Sequence, residues 1–184
     1  MATKRKVISS IVILVCAVLV GLFTWKVISI NLKYPAPTTK VYEIGQTANY
    51  KDEFELTVVD FKFLSDDAAN ELFGDGSESL INENKFAITT LKIKNISNET
   101  QSIPSTIFVF QAGMFFNGAM WGDIGRINDW DKAPELKPNE ETTIKVPFNV
   151  VKSRFLDSQW EKVTERKFSM VINLYPEKQV LKLN

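Results

Sequence analysis

The sequence predicts a mainly β chain: an antiparallel sandwich with one or two short helices, behind a single N-terminal transmembrane helix. Three observations carry that prediction. Residues Val7 to Trp25 are nineteen consecutive positions without a charge, directly after Lys4, Arg5 and Lys6. Beyond them the apolar period falls to two, in short runs, which is the pattern of half-buried strands. Clusters of Pro, Gly, Asn and Asp then separate the runs at turn-like intervals.

The N-terminal run comes first. At about 1.5 Å per residue it makes a helix of roughly 28 Å, close to the hydrocarbon thickness of a bilayer. Its three hydroxyls, Ser9, Ser10 and Thr24, can bond back to helix carbonyls in lipid. Basic residues ahead of the run resist translocation, so the tail is expected in the cytoplasm and the rest of the chain outside. Trp25 suits the far interface, and Lys26 can reach headgroups from there. Two other readings compete. A cleaved signal peptide shares the basic start, but its apolar core is usually about 7–15 residues and Leu22-Phe-Thr-Trp-Lys26 offers no small-residue cleavage site. A lipoprotein acylated at Cys16 would need a small residue where Val15 stands, and the apolar run continues past it. The expected organisation is a cytoplasmic tail over 1–6, an anchor over 7–30, an extracytoplasmic linker over 31–39 and a sandwich over 40–184. The linker reading rests on Pro35 and Pro37, which favour extended backbone.

The strands follow in order. Phe54, Leu56 and Val58 alternate with polar neighbours; then the phase slips by one and Val59, Phe61 and Phe63 alternate instead. A slip reverses every later side chain unless a bulge absorbs it, so a bulge is expected near Val58-Val59. Phe86 to Asn95 reads as a central strand ending in the turn Asn95-Ile-Ser-Asn98. Ile107 to Phe110 is a short apolar strand with Pro104 at its start. Ile144, Val146, Phe148 and Val150 alternate around Pro147, which must sit where no ladder donor is needed. Phe168, Met170, Ile172 and Leu174 alternate most cleanly, and Val180 to Leu183 forms a last strand after Pro176. Two short helices interrupt: the stretch Asp66 to Gly74, acidic at its start and with the glycine at its end, and a turn or two capped by Ser153 and carrying Phe155, Leu156, Trp160 and Val163. Seven or more short strands of this kind indicate an antiparallel β-sandwich of immunoglobulin-like type. The only cysteine lies in the membrane segment, so the sandwich must be held by its apolar core alone.

Three stretches carry a family likeness: Val41-Tyr-Glu-Ile-Gly-Gln-Thr47, Phe86-Ala-Ile-Thr-Thr-Leu-Lys-Ile-Lys-Asn-Ile-Ser97, and Leu136-Lys-Pro-Asn-Glu-Glu-Thr142. With them the region resembles the immunoglobulin-like domain of an uncharacterised family of bacterial cell-surface proteins, a domain of unknown function whose members have an N-terminal membrane anchor or lipoprotein signal. Asn139 stands where a glycine is common in that family, and Asn also visits left-handed backbone. The resemblance implies a fold and a location, and it transfers no catalytic residue.

Composition narrows the chemistry. The chain has no histidine, which removes the commonest general base and metal ligand, and no exported cysteine. Triads of the usual kind and zinc sites are excluded with them. From Asn31 onward 18 basic and 22 acidic residues give a net charge of −4. That balance, with no basic run, argues against nucleic acid or anionic lipid as a partner. No cofactor is implied. Asp66-Asp67 and Glu140-Glu141 read as a helix start and a turn; Asp75-Gly-Ser-Glu78 is a fainter acidic cluster. Asp123, Asp129 and Asp131 are candidates for a calcium site, although no complete loop pattern accompanies them. Asn95-Ile-Ser97 and Asn98-Glu-Thr100 match the glycosylation sequon, which in a bacterium is turn chemistry. The best candidate surface is Gly113 to Gly122 continuing to Trp130, where Phe115, Phe116, Met120, Trp121 and Trp130 lie among glycines. Aromatics and methionines on a loop suit adaptable recognition, but large rings are more often a core's own material, so the favoured expectation is that they close one end of the sandwich. The expected function is a non-catalytic binding module at the cell membrane, single-pass, facing an envelope protein or polymer. The alternatives are a carbohydrate-active enzyme working through Asp123 with Asp129 or Asp131, and a structural part of an envelope complex.

Overall fold

The computed structural model of the chain describes residues 2–73, 83–103 and 108–184 and divides into two compact units, one up to Pro37 and one from Thr38 to Asn184. Gly74, the cluster Asp75 to Glu78, and the strand start at Pro104 to Ile107 lie outside the described residues.

The first unit is one helix, α1 (Ala2–Lys33). Its stretch Ile11–Lys33 is 23 residues long and apolar enough to cross a membrane, and the apolar side chains along it are exposed. The helix stops where Pro35 pushes Tyr34 out of helical backbone; the last helical bond runs from Tyr34 N–H to the Ile30 carbonyl at 2.8 Å. The extended connector is therefore shorter than the 31–39 that the prolines suggested. Asn31, Leu32 and Lys33 continue the helix, while Thr38 and Thr39 already pair with Glu177 and Lys178.

The second unit is a mainly β sandwich. One sheet orders β1 (Thr38–Tyr42), β11 (Glu177–Lys182), β10 (Ser169–Asn173), β6 (Val109–Ala112) and β7 (Phe115–Gly118). The other orders β2 (Thr47–Tyr50), β3 (Phe54–Phe63), β4 (Asn84–Asn95) and β9 (Glu141–Val151). A small ladder joins β5 (Gln101–Ser102) to β8 (Glu135–Leu136). Among the described residues pairing is antiparallel except that β1 runs parallel to β11, a departure from the antiparallel expectation. That pair joins the two ends of the domain, and no local turn chemistry announces it in sequence.

The strands take their faces from the alternation. In β3 the register shifts between Val58 and Asp60, with Val58 buried and Val59 half exposed, so the phase slip is a bulge at Val59. Leu56, Val58, Leu91, Ile93, Ile144, Val146 and Phe148 face inward from one sheet. Phe110, Met170, Ile172 and Leu181 meet them from the other. Between the sheets Phe110 is stacked on Phe148 at 4.8 Å and on Phe168 at 4.6 Å, ring centre to ring centre. Pro147 lies opposite Ile88 on β9, the outer strand of its sheet, and its carbonyl accepts from Met120 N–H at 2.8 Å. In an antiparallel strand the N–H and C=O of one residue point the same way, so the missing donor faces the open edge.

Asn95 locks two of the family-like stretches together. Its fully buried amide donates to the carbonyls of Glu99 (2.7 Å) and Leu136 (2.8 Å). Its side-chain oxygen accepts from the N–H (2.9 Å) and hydroxyl (2.8 Å) of Ser97. Asn95 N–H also donates to the Glu140 carbonyl, and its own carbonyl accepts from Asn139 N–H, both at 2.9 Å. Asn139 has φ +66°, the left-handed backbone expected of it.

The helices differ more from expectation. α2 (Asp66–Phe73) lies where the acidic start put it and covers Phe86 with Ala69 and Phe73. The second predicted helix is instead broken into a 3-10 turn at Lys152–Arg154, one turn of helix α4 (Asp157–Trp160), and a 3-10 turn at Val163–Glu165. Ser153 falls inside the first turn and caps nothing; Leu156 precedes α4 without a side-chain cap. An unexpected helix, α3 (Trp121–Ile127), follows β7. Its two glycines weaken helix propensity, and burial of Ile124 in the core overrides them.

Candidate functional site

The segment singled out by its aromatics is a hairpin followed by α3, and it divides between surface and core. Ala112 pairs with Phe115 across the two residues Gly113 and Met114. Gly113 has φ +61°, the left-handed backbone that the first central position of a type II′ hairpin requires, so glycine fits there. The turn leaves Met114 96 % exposed, and the next outward residue, Phe116, 74 % exposed. Phe115, on the opposite face, is half buried with its ring edge-on to Phe110 at 6.4 Å.

Phe115 also meets Phe155, 5.1 Å away on the crossover between β9 and β10. Phe155 continues to Trp160 at 6.1 Å, and the Arg166 guanidinium lies over its face at 5.2 Å. Hairpin and crossover together enclose a groove of about 400 Å³ lined by Met114, Phe115, Phe116, Arg154, Phe155, Gln159 and Arg166. Its floor is rigid because Phe115 rests on the Phe110 stack. Its Arg166 wall is pinned by Asn184, whose amide donates to the Arg166 carbonyl at 2.9 Å while its oxygen accepts from Phe168 N–H at 2.7 Å. The hairpin itself is tied to the opposite sheet by Asn117, which donates to the carbonyl and side-chain oxygen of Asn149 at 3.1 and 2.7 Å.

The other candidates fall elsewhere. Met120 packs against the Ala69–Phe86 cluster and leaves the candidate surface; its place after the hairpin turns it under α2. Trp121 stacks on Phe108 at 5.7 Å and keeps 38 % exposure. With half-buried Trp130 it borders a smaller hollow of about 200 Å³ that also touches Ile124, Gly125, Asp131 and Lys132. Gly125 is there by necessity: its carbonyl accepts from Trp130 N–H at 2.8 Å, and an added Cβ would lie 3.0 Å from the Trp130 carbonyl oxygen.

The three aspartates do not form a cation site. Asp123 is engaged by Arg126 of the same helix at 2.7 Å, Asp129 occupies a left-handed turn position at φ +56°, and Asp131 edges the smaller hollow. Among the described residues no group of three acidic, Cys or His side chains could hold a metal ion.

The family model of a domain of unknown function, DUF5028, matches residues 39–179. The chain belongs to the DUF5028 family. The DUF5028 domain is thus the sandwich, with the groove inside the matched range. Among solved structures, this chain is similar to a conserved hypothetical protein from Bacillus anthracis at 16 % identity and a TM-score of 0.48, covering 78 % of this chain and 95 % of that one. It is also similar to an uncharacterised β-sandwich protein from Clostridium difficile (12 %, TM-score 0.46, 80 % and 96 % covered). A functionally unknown protein from Listeria monocytogenes stands at 9 % and 0.44, with 69 % and 71 % covered. None of the curated proteins matches the chain.

Sequence reasoning found Phe115 and Phe116 but missed Arg154, Gln159 and Arg166, which join them from about forty residues downstream. The available signal was the crossover itself, where Lys152, Arg154, Arg166 and Lys167 interleave with Phe155 and Trp160.

Proposed function

We propose that this protein is a single-pass membrane protein that presents its DUF5028 sandwich outside the membrane as a non-catalytic interaction module. In this reading the N-terminus is cytoplasmic, and the groove between the β6–β7 hairpin and the β9–β10 crossover contacts an envelope protein or polymer. The observation that carries it is the rim of that groove. Met114 and Phe116 hold large apolar side chains in solvent, where a monomeric sandwich gains nothing from them, beside arginines and a rigid aromatic floor. The anchor is supported by a 23-residue apolar helical stretch with exposed side chains, which lipid covers and water does not. Orientation is supported by Lys4, Arg5 and Lys6 ahead of it. Among the described residues no carboxylate lines the groove, so nothing there favours a carboxylate-dependent hydrolase.

The single native cysteine, Cys16 in the anchor, makes the test simple. Met114→Cys in the full chain is treated with a membrane-impermeant maleimide on intact cells. Labelling equal to that after permeabilisation, with the parent chain unlabelled and the protein retained in carbonate-washed membranes, is expected. Labelling only after permeabilisation, or release by the wash, overturns the topology.

A further inference from the structure

Charge assigns the groove a ligand class. From Asn31 onward the chain carries a net charge of −4, yet among the described residues the groove is lined by Arg154 and Arg166 and by no acidic residue. Of the arginines in the sandwich, Arg126 is engaged by Asp123, whereas no acidic side chain pairs with Arg154 or Arg166 among the described residues. Guanidinium groups without an acidic partner, gathered on an acidic domain, present a local positive site. The Arg166 guanidinium also lies over the Phe155 ring, 5.2 Å from its centre, a cation–π contact that consumes none of its N–H donors.

The apolar part of the site decides between acidic ligands. Exposed Met114 and Phe116 stand on the hairpin wall, opposite Phe155 on the crossover. Arginine, phenylalanine and methionine around a concave site is the composition of a protein-recognition hot spot. A flat lipid surface would instead engage convex side chains and leave a groove of about 400 Å³ unfilled. An extended segment fills such a groove while alternate side chains face its two walls.

Building on the groove as the contact surface, we propose that it binds an acidic, aromatic-bearing peptide segment of a partner protein. Arg154 and Arg166 receive carboxylates of that segment, and an apolar side chain between them rests on Phe115 and Phe155 against Met114 and Phe116.

The test uses the purified full chain in phosphatidylcholine nanodiscs and a fluorescein-labelled peptide of alternating Glu and Phe, read by anisotropy. Arg154→Gln and Arg166→Gln are each expected to weaken binding roughly tenfold, as loss of a charge-assisted hydrogen bond does. Arg166→Lys keeps the charge but not the fork and is expected to fall between. Lys132→Gln, at the smaller hollow, is expected to bind as the parent does. The same peptide with Gln for Glu is expected to bind at least tenfold more weakly, and the acidic peptide to weaken as salt rises. Equal binding of the Gln peptide, or indifference to both arginine variants, overturns the proposal. So does displacement of the acidic peptide by phosphatidylglycerol-rich vesicles, which would make the groove a lipid-surface contact. Because nanodisc binding does not depend on cellular orientation, it fails or succeeds independently of the Met114→Cys labelling.

Discussion

Replacing Asn95 with alanine should destabilise the sandwich by about 3 kcal/mol. The side chain is fully buried and makes four hydrogen bonds, two donated to the carbonyls of Glu99 and Leu136 and two accepted from Ser97. At a net worth of about 1 kcal/mol each, their sum is about 4 kcal/mol. The loss is smaller because the Ser97 hydroxyl, released from Asn95, can turn its single proton to the Glu99 carbonyl 3.0 Å away, and larger at Leu136, whose carbonyl is left buried without that donor. A total stability of about 5–15 kcal/mol makes this a substantial fraction. For a domain of this size 1 kcal/mol moves the midpoint by about 2–4 °C, so a fall of about 6–12 °C is expected. Thermal unfolding of the full chain in detergent, followed by near-ultraviolet circular dichroism, measures it. Asn95→Asp should cost at least as much, because it turns acceptor oxygens towards two carbonyls. Exposed Asn98→Ala, the neighbouring sequon position, should change the midpoint by no more than about 2 °C. A loss from Asn95→Ala no larger than that of Asn98→Ala would refute the role given to this side chain.

Three further outcomes follow from the same structure. Gly125→Ala should cost about 1–2 kcal/mol in denaturant unfolding despite the better helix propensity of alanine, because the added Cβ meets the Trp130 carbonyl oxygen of a loop already bonded to Gly125; a stabilised variant would mean that the loop yields. Deleting Val59 should leave a folded protein, because Val58 pairs with Leu91 and Asp60 with Thr90, so a regular strand keeps Phe61 and Phe63 inward. Deleting Thr57 should unfold it by reversing one half of the strand, and circular dichroism separates the two. Stability should be constant within roughly 2 °C between pH 6 and 8.5, because the chain has no histidine. Lys40 and Lys51 are held above their ordinary range, first by hydrogen bonding to the phenols of Tyr42 and Tyr50 and then by their charge. A raised lysine contributes stability that is complete below 10.5 and lost only as pH rises through the raised value, so it adds no slope in that window. A midpoint that moves steadily across the window would contradict this.

Much of the sandwich is legible in its residues because one face of each strand is buried. Alternation in β3, β4 and β9 marks the strands, and the phase slip marks the bulge; around β10 the alternation holds at Phe168, Met170 and Ile172 and fails at Leu174, which is exposed beyond a register shift. Asn139 likewise announces a left-handed turn. What remains illegible is what sequence neighbours do not determine. The parallel pairing of β1 with β11 joins residues separated by nearly the whole domain. Helix α3 forms against the propensity of Gly122 and Gly125 because Ile124 is buried. The crossover after β9 breaks into short turns because Phe155, Trp160 and Val163 must reach the core from one stretch. The candidate site shows both sides: Phe115 and Phe116 stand out by residue type, whereas Met120 and Trp121 of the same segment turn inward or stack. The arginines that give the groove its charge are brought to it only by the fold.

The central claim is that the groove end of the sandwich is its contact surface. A photo-crosslinking phenylalanine analogue placed at Phe116 in the full chain, irradiated on intact cells, tests it most directly. The same analogue at Leu174, equally apolar and exposed but outside the groove, serves as the comparison. A discrete adduct from position 116 that disappears with Arg154→Gln and Arg166→Gln, and none from position 174, is the predicted result. Adducts of equal yield from both positions, or from 174 alone, would contradict it.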